Sequence, residues 1–425
     1  MLQSIQILII GTVWPEPNSS AAGGRMMQLI QLFRQREWDV IFASSAAESE
    51  HSADLEKLGV VCRSIEMNSS SFDRFISGLM PDAVMFDRFM TEEQFGWRVA
   101  EQCPNAMRIL DTEDLHCLRQ AREKAWKEGR EFQSEDLLTE EIARREIASI
   151  WRCDLSLIIS EFEYGLLQSL FKVNESLLHY LPFLNEPADE TVTRNWPPFE
   201  ARSGFVSIGN FLHRPNWNAV LWLKEEIWPM IRQKLPDAEL HIYGAYPSQK
   251  VFQLHNKGEK FLVKGRAEDA GDVLRKARVL LAPIRFGAGL KGKLVDAMMN
   301  GTPSVTTDIG AEGIYEEQNW CGSVENDPED FFRSAVQLYK DQKLWEKAQI
   351  QGARILNDRF LMENFADEFI QKIVTVKGEL HSHRKRNFIG SMLMHHTAAS
   401  TRYMSKWIEA KNSANIDVQD IETKE

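Results

Sequence analysis

Short apolar runs alternate with stretches of helical spacing along most of the chain. In the N-terminal part the apolar runs are IQILII, WDVIFAS, VVCRSI, DAVMF, MRILD and DLSLIIS, and the helical stretches include RMMQLIQLFRQRE. After residue 203 the runs GFVSIGN, AELHIYG, KFLVKG, ARVLLAPI and PSVTT repeat this alternation. Such a rhythm is typical of parallel strands joined by crossover helices. It therefore predicts an α/β fold with two Rossmann-like lobes, whose parallel sheets face a cleft between them.

The composition changes at two places, and these changes predict the domain boundaries. Residues 181–202 read LPFLNEPADETVTRNWPPFEAR, hold four prolines and lack periodicity, as is typical of an interdomain connection. From residue 378 onward, basic and apolar residues cluster. We therefore expect a first lobe over residues 1–185, a linker over 186–202, a second lobe over 203–360, a helix over 361–377 that packs back towards the first lobe, and a basic, amphipathic and partly disordered tail over 378–425.

Two helices are predicted in the second half of the first lobe. A charged segment over residues 117–150 has helical spacing throughout, and another helix begins near Phe162. At the start of the latter, Ser160 and Glu163 have the spacing of a capping box.

The overall composition excludes several classes of protein. A chain of 425 residues exceeds what one hydrophobic core usually organises. Its net charge of −12 argues against nucleic acid as a partner, so an anionic ligand must meet a local basic patch. Five scattered cysteines without a C-x-x-C pair favour neither disulfides nor structural zinc, and a cytoplasmic location is expected.

The strongest chemical signal is a glycine-rich turn between a strand and a helix, here named the glycine loop (residues 287–293). It follows the run ARVLLAPI, passes Gly287, Gly289 and Gly292, and enters the helical segment KLVDAM. Amides at a helix start bind phosphate, and Lys291 and Lys293 add positive charge. The glycines also match the dinucleotide fingerprint G-x-G-x-x-G, but that motif belongs to the first turn of a lobe, whereas this loop follows a late strand. A tight turn with a purely structural role is the other alternative.

The residues around the glycine loop resemble a known family. The segment FGAGLKGKLVDAMMNGTPSVTTDIGAEG follows without gaps the pattern of glycosyltransferase family 4, the retaining "glycosyl transferases group 1" with the GT-B fold. The segments GFVSIGNFLHRPNWNAVLWL and DTEDLHCLRQAR look like two further blocks of this family. The resemblance implies metal-independent transfer of a sugar from a nucleoside-diphosphate sugar to a hydroxyl acceptor. That acceptor would be a glycan, a lipid-linked molecule or a protein, and polysaccharide biosynthesis is the expected setting.

The resemblance also assigns residues to the donor. The two motif glutamates of the family fall on Ala288 and Asp296. Asp296 would hydrogen-bond the nucleotide ribose, whereas Ala288 cannot contact the donor sugar as a glutamate would. Lys291 would clamp the diphosphate together with His213 or Arg214. The expected donor-binding residues are Gly287, Gly289, Lys291, Lys293, Asp296, His213, Arg214, Glu312 and Gly313, of which the last two alternatively form an ordinary loop.

Asp114 and His116 of the first lobe are candidate catalytic residues. They follow the run MRILD, at the ligand-facing end of the sheet, where they could contact sugar hydroxyls or the acceptor. The alternative is that Asp114 caps the following helix.

The first loop of the chain is also expected at the cleft. Gly23, Gly24 and Arg25 close this loop, and the glycines would let backbone amides approach the diphosphate or the acceptor. The alternative is a flexible connection with Arg25 on the surface.

The tail allows two interpretations. A basic cluster over residues 381–386 precedes an apolar series, which would suit peripheral contact with an anionic membrane. The alternative is that the apolar series packs onto the protein itself. The tail histidines lack carboxylates or cysteines that would complete a metal-ligand set.

Neither a metal nor a cofactor is expected, because no Asp-x-Asp triplet for holding a divalent ion occurs in the chain. Two other functions stay open. A sugar-nucleotide epimerase of the same fold would need several carboxylates that converge on one sugar carbon. A catalytically inactive binding or partner subunit is suggested by Ala288 and the tail.

Overall fold

The computed structural model describes residues 5–315 and 320–422. The first lobe is built on a parallel sheet of seven strands in the order β3-β2-β1-β4-β5-β6-β7. These strands are β1 Gln6–Gly11, β2 Asp39–Ser44, β3 Val61–Ser64, β4 Ala83–Asp87, β5 Met107–Asp111, β6 Leu155–Ile158 and β7 Leu178–Tyr180. Its helices are α1 Ala21–Gln35, α2 Ser70–Leu79, α3 Phe89–Gln102, α4 His116–Lys127, α5 Glu141–Arg152 and α6 Glu161–Ser169.

The second lobe repeats this plan with six parallel strands in the order β10-β9-β8-β11-β12-β13. They are β8 Phe205–Ile208, β9 Leu240–Tyr243, β10 Phe261–Gly265, β11 Val279–Ala282, β12 Ser304–Thr306 and β13 Gly322–Val324. The remaining helices are α7 Glu190–Thr193, α8 Arg214–Trp222, α9 Trp228–Lys234, α10 Gln249–Phe252, α11 Ala270–Lys276, α12 Gly292–Met299, α13 Asp308–Ala311, α14 Pro328–Lys340, α15 Gln342–Arg359, α16 Met362–Gly378, α17 Leu380–Arg386 and α18 Phe388–Glu422. Two parallel sheets with helices confirm the predicted α/β fold class.

The apolar runs of the sequence form the centre of each sheet. In β1, Ile7 to Ile10 are fully buried, and Ile9 pairs in register with Phe42 on one side and Met85 on the other. Continuous burial follows because helices cover both faces of a parallel sheet.

In each sheet the strand order reverses beside its first strand, between β1 and β4 and between β8 and β11. Ligands of such sheets bind at the carboxyl ends of the strands at this reversal point. The loops that follow β1, β4, β8 and β11 therefore define where a ligand is expected.

Two helix predictions for the first lobe are wrong. The segment 117–150 is not one helix, because α4 ends before Gly129, which has φ of +66°, and a 3-10 turn, Ser134–Thr139, precedes α5. The capping box at α6 does not form, since Ser160 makes no side-chain cap and Glu163 turns away from its own helix.

The described residues of the tail are helical and form α17 and α18, and the partial disorder expected there stays a prediction. Arg384 explains how this segment is held, because its guanidinium contacts both carboxylate oxygens of buried Asp154 at 2.8 Å. The preceding α16 packs on the first lobe, where Phe369 lies near Phe33 and stacks on His179. No helix in the described part of the chain is long and apolar enough to cross a membrane.

Candidate donor and acceptor cleft

A cleft of about 520 Å³ lies between the two lobes, where the loops at both reversal points meet. The first lobe contributes residues from the loops after β1, β4 and β5, and the second lobe contributes residues after β8, β9 and β11. Of the residues singled out in the sequence, those that line this cleft are Gly24, Arg25, Asp114, His116, His213, Gly287, Ala288, Gly289, Lys291, Gly292, Lys293 and Asp296.

The glycine loop leaves β11, crosses the floor of the cleft and begins α12. Gly289 has φ of +60°, and a Cβ atom there would approach Cβ of Asp114 to 2.8 Å, so only glycine fits between the lobes. Lys291 is the N-cap residue of α12, and no side chain caps this helix start. Its first amides are therefore available to an anion in the cleft.

The two lysines of the loop lie at different depths. Lys291 is 9% exposed, and its Nζ donates to the carbonyl of Gly289 at 2.8 Å. Burial lowers the pKa of Lys291 to about 8. Lys293 is half-buried, and its Nζ donates to Oδ1 of Asn216 at 2.6 Å, which ties the starts of α8 and α12 together. A buried ammonium without an ion-pair partner on its own loop is the kind of group that an anionic ligand stabilises.

Contacts from the first lobe hold the glycine loop in place, and sequence reasoning did not find them. Glu163 on α6 accepts from the amides of Gly289 at 2.7 Å and Leu115 at 3.1 Å. Burial raises the pKa of this carboxyl to about 8. Arg122 on α4 donates to the carbonyl of Gly287 at 2.9 Å and to both carboxylate oxygens of Glu312 at 2.8 and 2.7 Å. The loop is thus held by side chains of the opposite lobe.

His116 and Asp114 form a polar wall of the cleft. Nε2 of His116 lies 3.4 Å from Oδ1 of Asp114, which also pairs with Arg119. Burial lowers the pKa of His116 to about 4, so the ring is neutral near pH 7 and offers one donor and one acceptor. Asp114 does not cap α4. The amides of His116 and Cys117 instead donate to Glu146 on α5, each at 2.9 Å.

Glu113 is the cleft carboxyl with an unpaired oxygen. It has φ of +62°, and its buried Oε1 has no hydrogen-bond partner. Burial, together with the nearby charge of Asp111, raises the pKa of Glu113 to about 8. The sequence placed Glu113 beside the candidate pair but gave no reason to separate it from a solvated acidic turn.

Arg25 is buried. The sequence alternative that placed it on the surface is therefore wrong. Its guanidinium lies 3.1 Å from Asp111 and donates to the carbonyls of Leu181 at 2.8 Å and Pro182 at 3.0 Å, where the chain leaves the first lobe. Gly24 lines the cleft, whereas Gly23 packs against the backbone of Glu16 within the loop.

The other predicted donor residues fall into two groups. His213 and Asp296 face the cleft, and burial lowers the pKa of His213 to about 4. Arg214, Glu312 and Gly313 lie outside the cleft lining. Arg214 is exposed and pairs with Glu123 of α4 at 3.2 Å, and Glu312 serves as the partner of Arg122. Both side chains therefore join the lobes.

Ala288 is buried, 7% exposed, and packs with the apolar cluster of the first lobe that includes Leu115 and Leu118. The position of the first motif glutamate therefore packs on the first lobe and also lines the cleft. Across the described residues, no group of three His, Cys, Asp or Glu side chains is arranged to hold a metal ion.

Residues 202–341 match the family model described as "Glycosyl transferases group 1". This match covers most of the second lobe, including its glycine loop, and confirms the resemblance of this lobe to the group 1 glycosyltransferases.

Solved structures share the fold of nearly the whole chain. A glycosyltransferase from Rickettsia africae is 11% identical to this chain, and the two structures superpose with a TM-score of 0.64. The superposition covers 88% of this chain and 99% of that chain. Alr3699/HepE of Anabaena, solved in complex with UDP and glucose, is 12% identical, with a TM-score of 0.63 over 87% of this chain and 99% of that one. These similarities confirm the two-lobed GT-B fold.

A curated protein of Klebsiella pneumoniae also matches, described as an uncharacterized 44.6 kDa protein in the cps region. It is 23% identical over 141 residues, which are 32% of this chain and 36% of that protein. The chain therefore matches about a third of the length of this curated relative.

Proposed function

We propose that the chain transfers a sugar from a nucleoside-diphosphate sugar to a hydroxyl acceptor with retention of configuration. The observation that carries the proposal is the uncapped start of α12 beside buried Lys291, both at the floor of the cleft. Together they offer amide donors and an ammonium to one diphosphate. The match of residues 202–341 to the group 1 glycosyltransferases supports this use of the loop.

The donor would lie on the second lobe and the acceptor on the first. Lys291 would neutralise charge on the departing diphosphate, which lowers the barrier for breaking the sugar–phosphate bond. Lys293 and His213 would add hydrogen bonds to the phosphates, and Asp296 would bind the nucleotide ribose. Arg214 pairs with Glu123, and Glu312 pairs with Arg122, both across the lobes. These two ion pairs would stabilise the closed cleft, and neither Arg214 nor Glu312 would contact the donor.

The first lobe would orient the hydroxyl groups. Neutral His116, held by ionised Asp114, can accept a hydrogen bond from a sugar or acceptor hydroxyl. Glu113 would be protonated near pH 7, since its pKa is raised to about 8, and could donate to a sugar oxygen. A neutral acid at this place would supply a sugar contact that Ala288 cannot make.

The setting we propose is the synthesis of a glycan or polysaccharide in the cytoplasm. The relative in the cps region supports a role in polysaccharide synthesis, and the HepE complex with UDP and glucose supports a sugar nucleotide as donor.

The proposal is tested by incubating the chain with a panel of UDP-, GDP- and ADP-sugars without acceptor. We expect slow release of the nucleoside diphosphate from one class of donor, with the free sugar first appearing in the anomeric configuration of the donor by NMR. Release with inversion would contradict retention. An epimerised sugar nucleotide would instead indicate the epimerase.

Buried Ala288 favours one second candidate, a binding subunit without turnover. Such a subunit would bind a nucleoside diphosphate in a thermal-shift assay yet release none from any sugar nucleotide. Absence of both binding and release would exclude a sugar-nucleotide function altogether.

A further inference from the structure

The C-terminal helix α18 has two unlike faces. One face docks on the first lobe, where Nη2 of Arg98 donates to Oγ of Ser405 at 3.0 Å and the amide of Ser70 donates to Glu409 at 2.8 Å. Arg108 also reaches Sδ of Met394 at 3.5 Å. These contacts fix the rotation of the helix, so the opposite face points away from the protein.

The outward face carries large apolar side chains that are between 47% and 70% exposed. They are Phe388, Ile389, Met392, Tyr403, Met404 and Trp407. At 100° per residue, Phe388, Met392, Tyr403 and Trp407 fall within about a third of a turn, so they lie along one side of the helix, here named the stripe. The exposed members include aromatic residues at both ends of this stripe. Several large exposed apolar side chains on one side of a helix mark an interaction site.

The charge of this segment is opposite to that of the protein. Residues 380–412 hold six Lys or Arg and one acid, Glu409, in a chain of net charge −12. That acid lies on the docked side, 3.8 Å from Arg98. Lys406 and Lys411 are exposed beside the stripe, and Nζ of Lys411 lies 5.5 Å from the centre of the Trp407 ring.

We propose that the outward face of α18 binds an anionic lipid surface. Helices that lie in the interface of a membrane combine Trp, Phe and aliphatic residues with flanking Lys or Arg, as this face does. Anionic lipid complements its charge. A second copy of the chain would present the same lysines and no acid from residues 380–412 to pair with them, because Glu409 lies on the docked side.

The position of α18 on the first lobe suggests what lipid binding would do. The helix lies on α3 and α5 of the first lobe, so binding would hold that lobe at the lipid surface. If the first lobe takes the acceptor, as proposed above, a lipid-linked acceptor would then be within reach. Lipid binding itself does not depend on that function and can be measured without a substrate.

The test is co-sedimentation of the full chain with phosphatidylcholine vesicles, with and without phosphatidylglycerol. We expect binding only to the vesicles that contain phosphatidylglycerol, and loss of that binding as salt is raised. The combined variant Phe388→Ser, Met392→Ser and Trp407→Ser should bind about tenfold or more weakly, and Lys406→Glu with Lys411→Glu similarly.

A matched control is Phe252→Ser with Ile350→Ser, two comparably exposed apolar residues of the second lobe, which should bind like the wild type. Circular dichroism and thermal melting of each variant establish that it folds. Equal binding of the wild type and the stripe variant would overturn the proposal. So would equal binding to neutral and anionic vesicles, or a dimer in sedimentation equilibrium that the stripe variant abolishes.

Discussion

Lys291 and Lys293 are the loop residues whose protonation a bound diphosphate would change. In the free chain, burial lowers the pKa of Lys291 to about 8 and that of Lys293 to about 7, and two or more phosphate charges nearby would raise both. A lysine that is neutral in the free chain must take up a proton when the diphosphate binds. The affinity is therefore expected to fall as the pH rises above 7, and more steeply above 8.

Titration calorimetry at pH 9 in two buffers of different ionisation enthalpy measures this linkage. We predict uptake of nearly two protons per nucleoside diphosphate bound at pH 9, one for each loop lysine, and less than one at pH 7. The variant Lys291→Arg, which stays charged, should take up about one proton less at pH 9. An unchanged uptake in this variant would assign the protons to other groups.

Ala288 gives a second prediction at this scale. Because it packs against the apolar cluster of the first lobe, Ala288→Glu would bury a carboxylate without a partner. We expect a loss of about 2 kcal/mol or more in stability, measured by thermal melting, and no gain in turnover. Ala288→Ser, which adds one small polar atom, serves as the control. A stable Ala288→Glu variant with faster transfer would show that the position still faces the donor sugar.

The site residues that the sequence predicted and those it missed differ in how far apart along the chain their partners lie. The glycine loop was found because its glycines and lysines lie within one short segment between a strand and a helix. Glu163 acts on an amide 126 residues away, and Arg122 pairs with a carboxylate 190 residues away. Neither leaves a local pattern, and Glu163 even matched a capping box that does not form.

At the scale of elements, α4 is the main connection from the first lobe to the glycine loop. Arg122 on this helix is 6% exposed, lies between the rings of Phe132 and Phe162 at 5.4 and 5.0 Å, and pairs with Glu312 through two hydrogen bonds. Breaking such a buried pair by removing one partner costs about 3–5 kcal/mol. The closed arrangement of the lobes is therefore expected to depend on Arg122.

We predict that Arg122→Ala opens the cleft, which small-angle X-ray scattering would detect as a larger radius of gyration without ligand. Arg333→Ala, which removes an exposed arginine paired within α14, should leave the radius unchanged. If Arg122→Ala keeps the wild-type radius, the pair does not hold the lobes together.

The tail shows what composition alone does not reveal about an element. The sequence left open whether this segment packs on the protein, and in the structure Arg384 and Ser405 contact Asp154 and Arg98 of the first lobe. Both partners are buried charged residues, and pairing them stabilises the docked helix. These pairings form only where two distant segments of the chain meet, so neither segment's sequence predicts them.

At the scale of the whole molecule, two sheets bring their reversal points to one cleft. The alternation of runs predicted both lobes, because burial on two faces leaves a clear apolar signature. The closed contact between them was not predictable, since it depends on the fit of Gly289 against Asp114 and of Gly292 against Ala21. The geometry makes the glycine loop a shared element of both lobes.

The central claim is that the glycine loop holds a diphosphate through Lys291. The most direct test is calorimetric titration, at pH 7, of the nucleoside diphosphate that the donor panel selects into the wild type, Lys291→Ala and the exposed-lysine control Lys257→Ala. We predict that Lys291→Ala weakens binding about 10- to 100-fold, as expected for a hydrogen bond to a charged group, while the control binds like the wild type. Wild-type affinity in a folded Lys291→Ala variant would contradict the claim.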